Sequence, residues 1–161
     1  MANLADTGAE WVSIVATGHQ REHTSTRIRR TEATPSDAGI VHMIDVAHDL
    51  GLQVMLKPHV DLSHDPDHWR GDIGTTWQGQ PESWDRWFRS YRAFIFHHAE
   101  LAQANGVDQL SVGTELAGTV GRSKSWRRVI AGVRARFDGT LTYAATSAAR
   151  SIGSRGGAGS T

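Results

Sequence analysis

Short apolar runs rich in β-branched residues alternate with amphipathic stretches along this chain, and that alternation restricts its fold more than any other feature. Trp11-Val12-Ser13-Ile14-Val15-Ala16 reads as a buried strand. Thr34-Pro35-Ser36-Asp37 then carries a capping hydroxyl at Thr34, a proline suited to the first helical position and an early acid. Ile40, Ile44 and Ala47 follow at helical spacing, and Gly51 closes the segment. Leu52 to Asp61 is a second strand, Pro81 to Asn105-Gly106 a long helix, and Asp108 to Glu115 a third strand. A helix capped by Ser123 or Ser125 places Trp126, Ile130, Val133 and Phe137 on one face, and Leu141 to Ala145 is a fourth strand. Strand, helix, strand, helix, strand, helix, strand predicts an α/β fold: a right-handed parallel βαβ array with its helices outside.

Two polar stretches interrupt this order. Thr17 to Thr34 is aperiodic and reads as a loop, while His64 to Gln80, rich in Gly, Asp, His and Trp, is too long for a mere connector and reads as a binding loop. Residues 1–146 form the expected globular body, and 147–161, dominated by Gly, Ser and Ala, read as a disordered tail. The 161 residues include 17 Lys and Arg against 17 Asp and Glu, so the net charge is zero and no basic field exists to gather nucleic acid or anionic lipid. No apolar run approaches the roughly 18 residues of a membrane span. The start, Met1 to Trp11, shows no basic segment followed by the apolar stretch of a secretory signal. The absence of Cys excludes disulfides, thiolate zinc ligands and a thiol nucleophile. No phosphate-cradling glycine loop, nucleophile elbow or His-Glu-x-x-His zinc motif is present, and no cofactor is expected.

In parallel α/β architectures the loops leaving the C-terminal ends of strands converge on one face, where ligands and catalytic groups collect. That rule selects His19 from the first strand, Lys57, His59 and Asp61 from the second, Thr114 and Glu115 from the third and Tyr143 from the fourth. Glu115 ends an apolar strand and is placed for general-acid work or, more blandly, for capping the next helix. Lys57, His59 and Asp61, spaced by two, share one face and suit sugar hydroxyls, a carboxylate, the orienting of an acid, or a salt-bridged strand end. Trp69 and Trp77 offer flat apolar planes for a pyranose, whereas Trp84, Trp87 and Trp126 fall at core positions of helices. Arg70, beside Trp69, suits a hydroxyl or carboxylate clamp or a surface position. His59, Asp61, His64, Asp65, Asp67 and His68 supply metal-ligand atom types within ten residues, which also admits a metal-dependent hydrolase.

Trp11-Val12-Ser13-Ile14-Val15, Thr34-Pro35-Ser36-Asp37-Ala38, the Gly51 to Asp61 strand with its Lys-Pro-His-Val-Asp ending, Trp69-Arg70-Gly71-Asp72-Ile73, the Trp/Phe-rich helix through Ser90 to Ile95, Val112 to Leu116 and Leu141 to Ala145 occur in this order. Together they resemble glycoside hydrolase family 113, retaining β-mannanases of the (β/α)8 type in glycoside hydrolase clan A. The resemblance implies a partial TIM barrel of about four βα units, barrel strands two to five. It implies Glu115 as acid/base, with Thr114 where much of the clan has Asn. Lys57 and His59 would lie beside the −1 sugar and Trp69 and Arg70 on the following loop, facing a polysaccharide or oligosaccharide of the β-mannan class. Whole barrels need about 250 residues, and the family nucleophile belongs to barrel strand seven, beyond the four strands read here. The chain by itself is therefore expected to be inactive, or to act as a carbohydrate-binding piece, and its open barrel edges to invite self-association.

Overall fold

Four strands align in the order β1-β2-β3-β4, every neighbouring pair parallel, in the computed structural model, which describes residues 6–146. Residues 1–5 and the expected tail 147–161 lie outside the described residues. The strands are β1 (Trp11–Gln20), β2 (Gln53–Leu62), β3 (Gln109–Thr114) and β4 (Thr140–Ala144). Helices α1 (Asp37–Asp49), α2 (Pro81–Ala104) and α3 (Ser123–Arg134) connect them, and short 3₁₀ turns occupy Arg70–Asp72 and Ala117–Thr119. The predicted alternation is thus the observed one. No helix among the described residues is long and apolar enough to cross a membrane.

Three local expectations are corrected. β1 runs four residues past Ala16, so Thr17 to Gln20 are strand and not loop. Gln20 holds that extension in the core: its amide donates to the carbonyls of Glu22 and Ser25 at 2.8 and 2.9 Å and accepts from Trp87 Nε1 at 2.9 Å. α1 is capped by Ser36, whose Oγ accepts from the Gly39 N–H at 3.0 Å. The Thr34 hydroxyl is already used, accepting from the Thr31 N–H at 2.9 Å, and Pro35 therefore precedes the cap. At α3 neither serine caps, and Arg122 occupies the cap position without a side-chain bond.

Alternation along the strands separates two faces of the sheet. Ile14 and Ala16 of β1 and Val54, Leu56 and Val60 of β2 are buried on the helix side, against Ile40, Ile44 and Ala47 of α1. α2 supplies Trp84, Trp87, Phe88 and Tyr91, and α3 supplies Trp126. Trp87 stacks on Tyr91 at 4.9 Å, and the Tyr91 hydroxyl donates to the Val112 carbonyl at 2.8 Å, pinning α2 to β3. Among the described residues no helix covers the other face. There Trp11 and Val15 are 42% and 44% exposed, and toward the C-terminal end Thr17 registers with His59 and His19 with Asp61.

Candidate active site

The polar end of that open face is organised by Arg70. The loop after β2 turns at Arg70–Asp72 and meets the loop after β3 at Ala117–Thr119, because Gly118 lets backbone approach backbone: a Cβ there would collide with the Ile73 carbonyl oxygen. This contact delivers the guanidinium to the end of β3. Arg70 Nε donates to Asp61 Oδ1 at 3.0 Å and its Nη2 makes a second, shorter bond to the same oxygen. Nη1 donates to Glu115 Oε2 at 3.2 Å and to His59 Nδ1 at 3.0 Å. One largely buried cation thus joins the strand ends of β2 and β3 and fixes two carboxylates that remain partly open to solvent.

Glu115 leaves β3 with φ 53, and among the described residues it is the only non-glycine at positive φ. Its N–H still donates to the Ala144 carbonyl at 2.8 Å, so the chain is held in the sheet while it turns. Left-handed backbone costs a branched or long side chain on the order of 1 kcal/mol or more, and such strain collects at functional positions. The next N–H, of Leu116, donates to the Tyr143 hydroxyl at 3.1 Å. Burial raises the Tyr143 phenol above its ordinary value, and the ring packs edge-on to Trp126 at 5.8 Å. Tyr143 therefore reaches the site through the backbone that follows Glu115.

His59 is forced neutral. Burial, and then the positive charges of Arg70 and Lys57, push its pKa down to about 4. Since Arg70 can only donate, Nδ1 is the accepting nitrogen and the proton resides on Nε2, which is buried and has no hydrogen-bond partner among the described residues. Thr114 is buried, and its hydroxyl donates to the Pro58 carbonyl at 3.2 Å, so it braces β3 on β2 instead of facing the open side. Trp69 lies half-buried with its indole packed close against Gly71, immediately before Arg70. His19 adjoins Asp61 in register, its Nδ1 within 3.0 Å of the Thr31 hydroxyl and 3.3 Å of the Thr34 hydroxyl.

Two expectations are redrawn. Trp77 is 2% exposed, in edge contact with Trp84 at 5.0 Å, and its indole N–H donates to the Thr24 carbonyl at 3.3 Å. It is core, so no pyranose can stack on it. The His59 to His68 cluster also divides: His59 and Asp61 surround the Arg70 cation, which leaves no room for a metal charge, while Asp65 and His68 turn toward His23. The sequence reading missed His23, whose role depends on a loop contact 42 residues distant.

The family model of Glycoside Hydrolase Family 113 matches residues 1–152. Among solved structures, a GH113 beta-1,4-mannanase is 31% identical with a TM-score of 0.80, over 87% of this chain and 46% of that one. A complex structure of a GH113 beta-1,4-mannanase gives 31% identity and the same TM-score, over 88% of this chain and 47% of that one. GH113 beta-mannanase AaManA from Alicyclobacillus acidocaldarius, in complex with ManMIm, is 34% identical with a TM-score of 0.78, covering 88% and 46%. The chain spans just under half the length of these structures. No curated protein matches it.

Proposed function

Because the chain belongs to Glycoside Hydrolase Family 113 and its four parallel strands are part of that family's (β/α)8 barrel, we propose that it is the acid/base-bearing portion of a retaining β-mannanase. Glu115 protonates the leaving glycosidic oxygen and afterwards takes a proton from the attacking water. The observation that carries this role is its setting: a strand-end carboxylate on strained backbone, with one oxygen engaged by Arg70. Oε2 faces a permanent donor, so the transferable proton sits on Oε1. Neutral His59 accepts from Arg70 through Nδ1 and so orients the guanidinium beside Glu115, and Trp69 supplies the apolar plane against a pyranose face. Lys57, on the same face of β2, supplies a further donor.

Retention needs a second carboxylate about 5–5.5 Å from the first. Asp61 is joined to Glu115 through a shared arginine, and that cation between them suits a structural pair better than a nucleophile facing an anomeric carbon. The nucleophile therefore belongs to the portion of the barrel that these strands do not provide, and the chain by itself binds mannan-type oligosaccharide without cleaving it.

Glu115→Gln in the assembled enzyme tests the assignment, with reducing ends released from β-1,4-mannan as the readout. Turnover is expected to fall at least about a hundredfold, the scale of a lost general acid. Aryl mannosides whose leaving groups need no protonation should suffer far less in the bond-breaking step. Unchanged turnover on mannan removes Glu115 from the role.

A further inference from the structure

Beyond the proposed active site, His23, Asp65 and His68 stand out among the polar side chains of the loops. From the loop after β1, His23 places its Nδ1 2.6 Å from Asp65 Oδ2, and its backbone N–H donates to the same oxygen at 2.9 Å. From the loop after β2, His68 places its Nδ1 2.7 Å from the other oxygen, Oδ1. A turn closed by the His68 N–H on the Asp65 carbonyl at 3.3 Å sets these two residues on one side. The imidazole rings stack, centroids 3.7 Å apart and planes within 25°. One potential ligand atom from each of the three residues therefore lies within 4.8 Å of the other two.

Charge distinguishes this cluster from an ordinary ion pair. Among the described residues no lysine or arginine bonds to Asp65, although its side chain is only 11% exposed. Two imidazolium rings stacked this closely would repel, and a single carboxylate cannot neutralise both. A divalent ion satisfies all three groups together, because it binds imidazole in its neutral form and supplies the positive charge between the rings and the carboxylate. Two histidines and one aspartate suit zinc and neighbouring first-row ions, and water can complete the coordination on the exposed His68 side.

We propose that His23, Asp65 and His68 form a binding site for a divalent transition-metal ion of the zinc type, which clasps the loop after β1 to the loop after β2. The bound ion lies next to Trp69 and Arg70 in sequence and fixes the stem from which they project. It takes no part in the chemistry at Glu115, so the site stands or falls independently of the mannanase reading.

The test is titration of ZnCl2 into the chelator-treated, untagged chain by calorimetry. One equivalent is expected to bind with micromolar or tighter affinity, and the melting temperature to rise with the metal. His68→Ala, at an exposed position, and Asp65→Asn, which keeps the shape, should each weaken binding at least tenfold. His64→Ala should not, since that ring lies against the Ser63 hydroxyl at 2.9 Å. Visible d–d bands of Co2+ bound to the unaltered chain give a second readout that does not depend on the variants folding. No stoichiometric binding, or binding equally strong after His68→Ala, overturns the site and leaves a hydrogen-bonded clasp.

Discussion

The two faces of one sheet follow different rules. On the helix-covered face the side chains are large, apolar and mutually redundant: Trp84, Trp87, Phe88, Tyr91 and Trp126 form a continuous set of ring contacts. On the open face polarity is graded along the strands. Trp11, Val15 and Met55 occupy the N-terminal part of that face, and His19, His59 and Asp61 the C-terminal part beside Glu115. Stability resides on the first face and the candidate chemistry on the second. A change of equal size should therefore register in different measurements depending on which side of the backbone it falls.

The largest expected effect breaks the covered face. Trp87 is fully buried, stacked on Tyr91, edge-on to Phe88 at 4.9 Å, and donates to Gln20. Trp87→Ala should cost about 3–5 kcal/mol through the cavity alone, with the stranded Gln20 carbonyl adding to it. Urea unfolding checks this, and a loss below about 1 kcal/mol would mean that the aromatic set does not hold α2 to the sheet.

A smaller effect comes from proton linkage on the same face. His98 is 4% exposed, its Nδ1–H donates to the Phe94 carbonyl at 2.8 Å, and burial pushes its pKa down to about 4. Between pH 6.5 and 4 the unfolded chain binds the proton and the folded one does not, so stability falls as pH falls through that window. The full loss is about 3 kcal/mol, and half-exposed His59 adds in the same direction. Denaturant midpoints measured across this range should decline more steeply for the parent than for His98→Asn, which keeps the hydrogen bond to Phe94. Equal slopes would place the titration elsewhere.

Much of this division is legible in the sequence. Lys57, His59 and Asp61 announce a shared face by their spacing alone, and Glu115, directly after the third apolar run, marks the same end of the sheet. Illegible were the positions where a core residue is not apolar. At Thr17 to Gln20 the periodic signal lapses because the covered side holds Gly18, where a Cβ would collide with the Phe94 ring, and Gln20, satisfied by three hydrogen bonds. Trp77 misleads for the converse reason: a Gly-rich loop suggests exposure, yet its ring closes the core over Trp84. Arg70 reads in the sequence as a clamp or a surface residue, and not as the hub of three strand-end groups. That role depends on the approach of two loops at Gly118, which no local pattern encodes.

The smallest effect gives the sharpest comparison, since it concerns adjacent residues on opposite faces. Ile14 is 7% exposed and Val15 is 44% exposed. Ile14→Val removes one methylene from the packed side and should cost about 1 kcal/mol. Val15→Thr retains the β-branched shape and strand preference, and on a solvated face it should stay within about 0.5 kcal/mol. Both are measured by urea unfolding of the isolated chain at several concentrations. If Val15→Thr costs more than Ile14→Val, and its cost grows with protein concentration, the open face is covered in the folded state by a second copy meeting it at the bare sheet. If the order holds at every concentration, the apolar end of the open face is solvated in the isolated chain, and burying it is left to the remainder of the barrel.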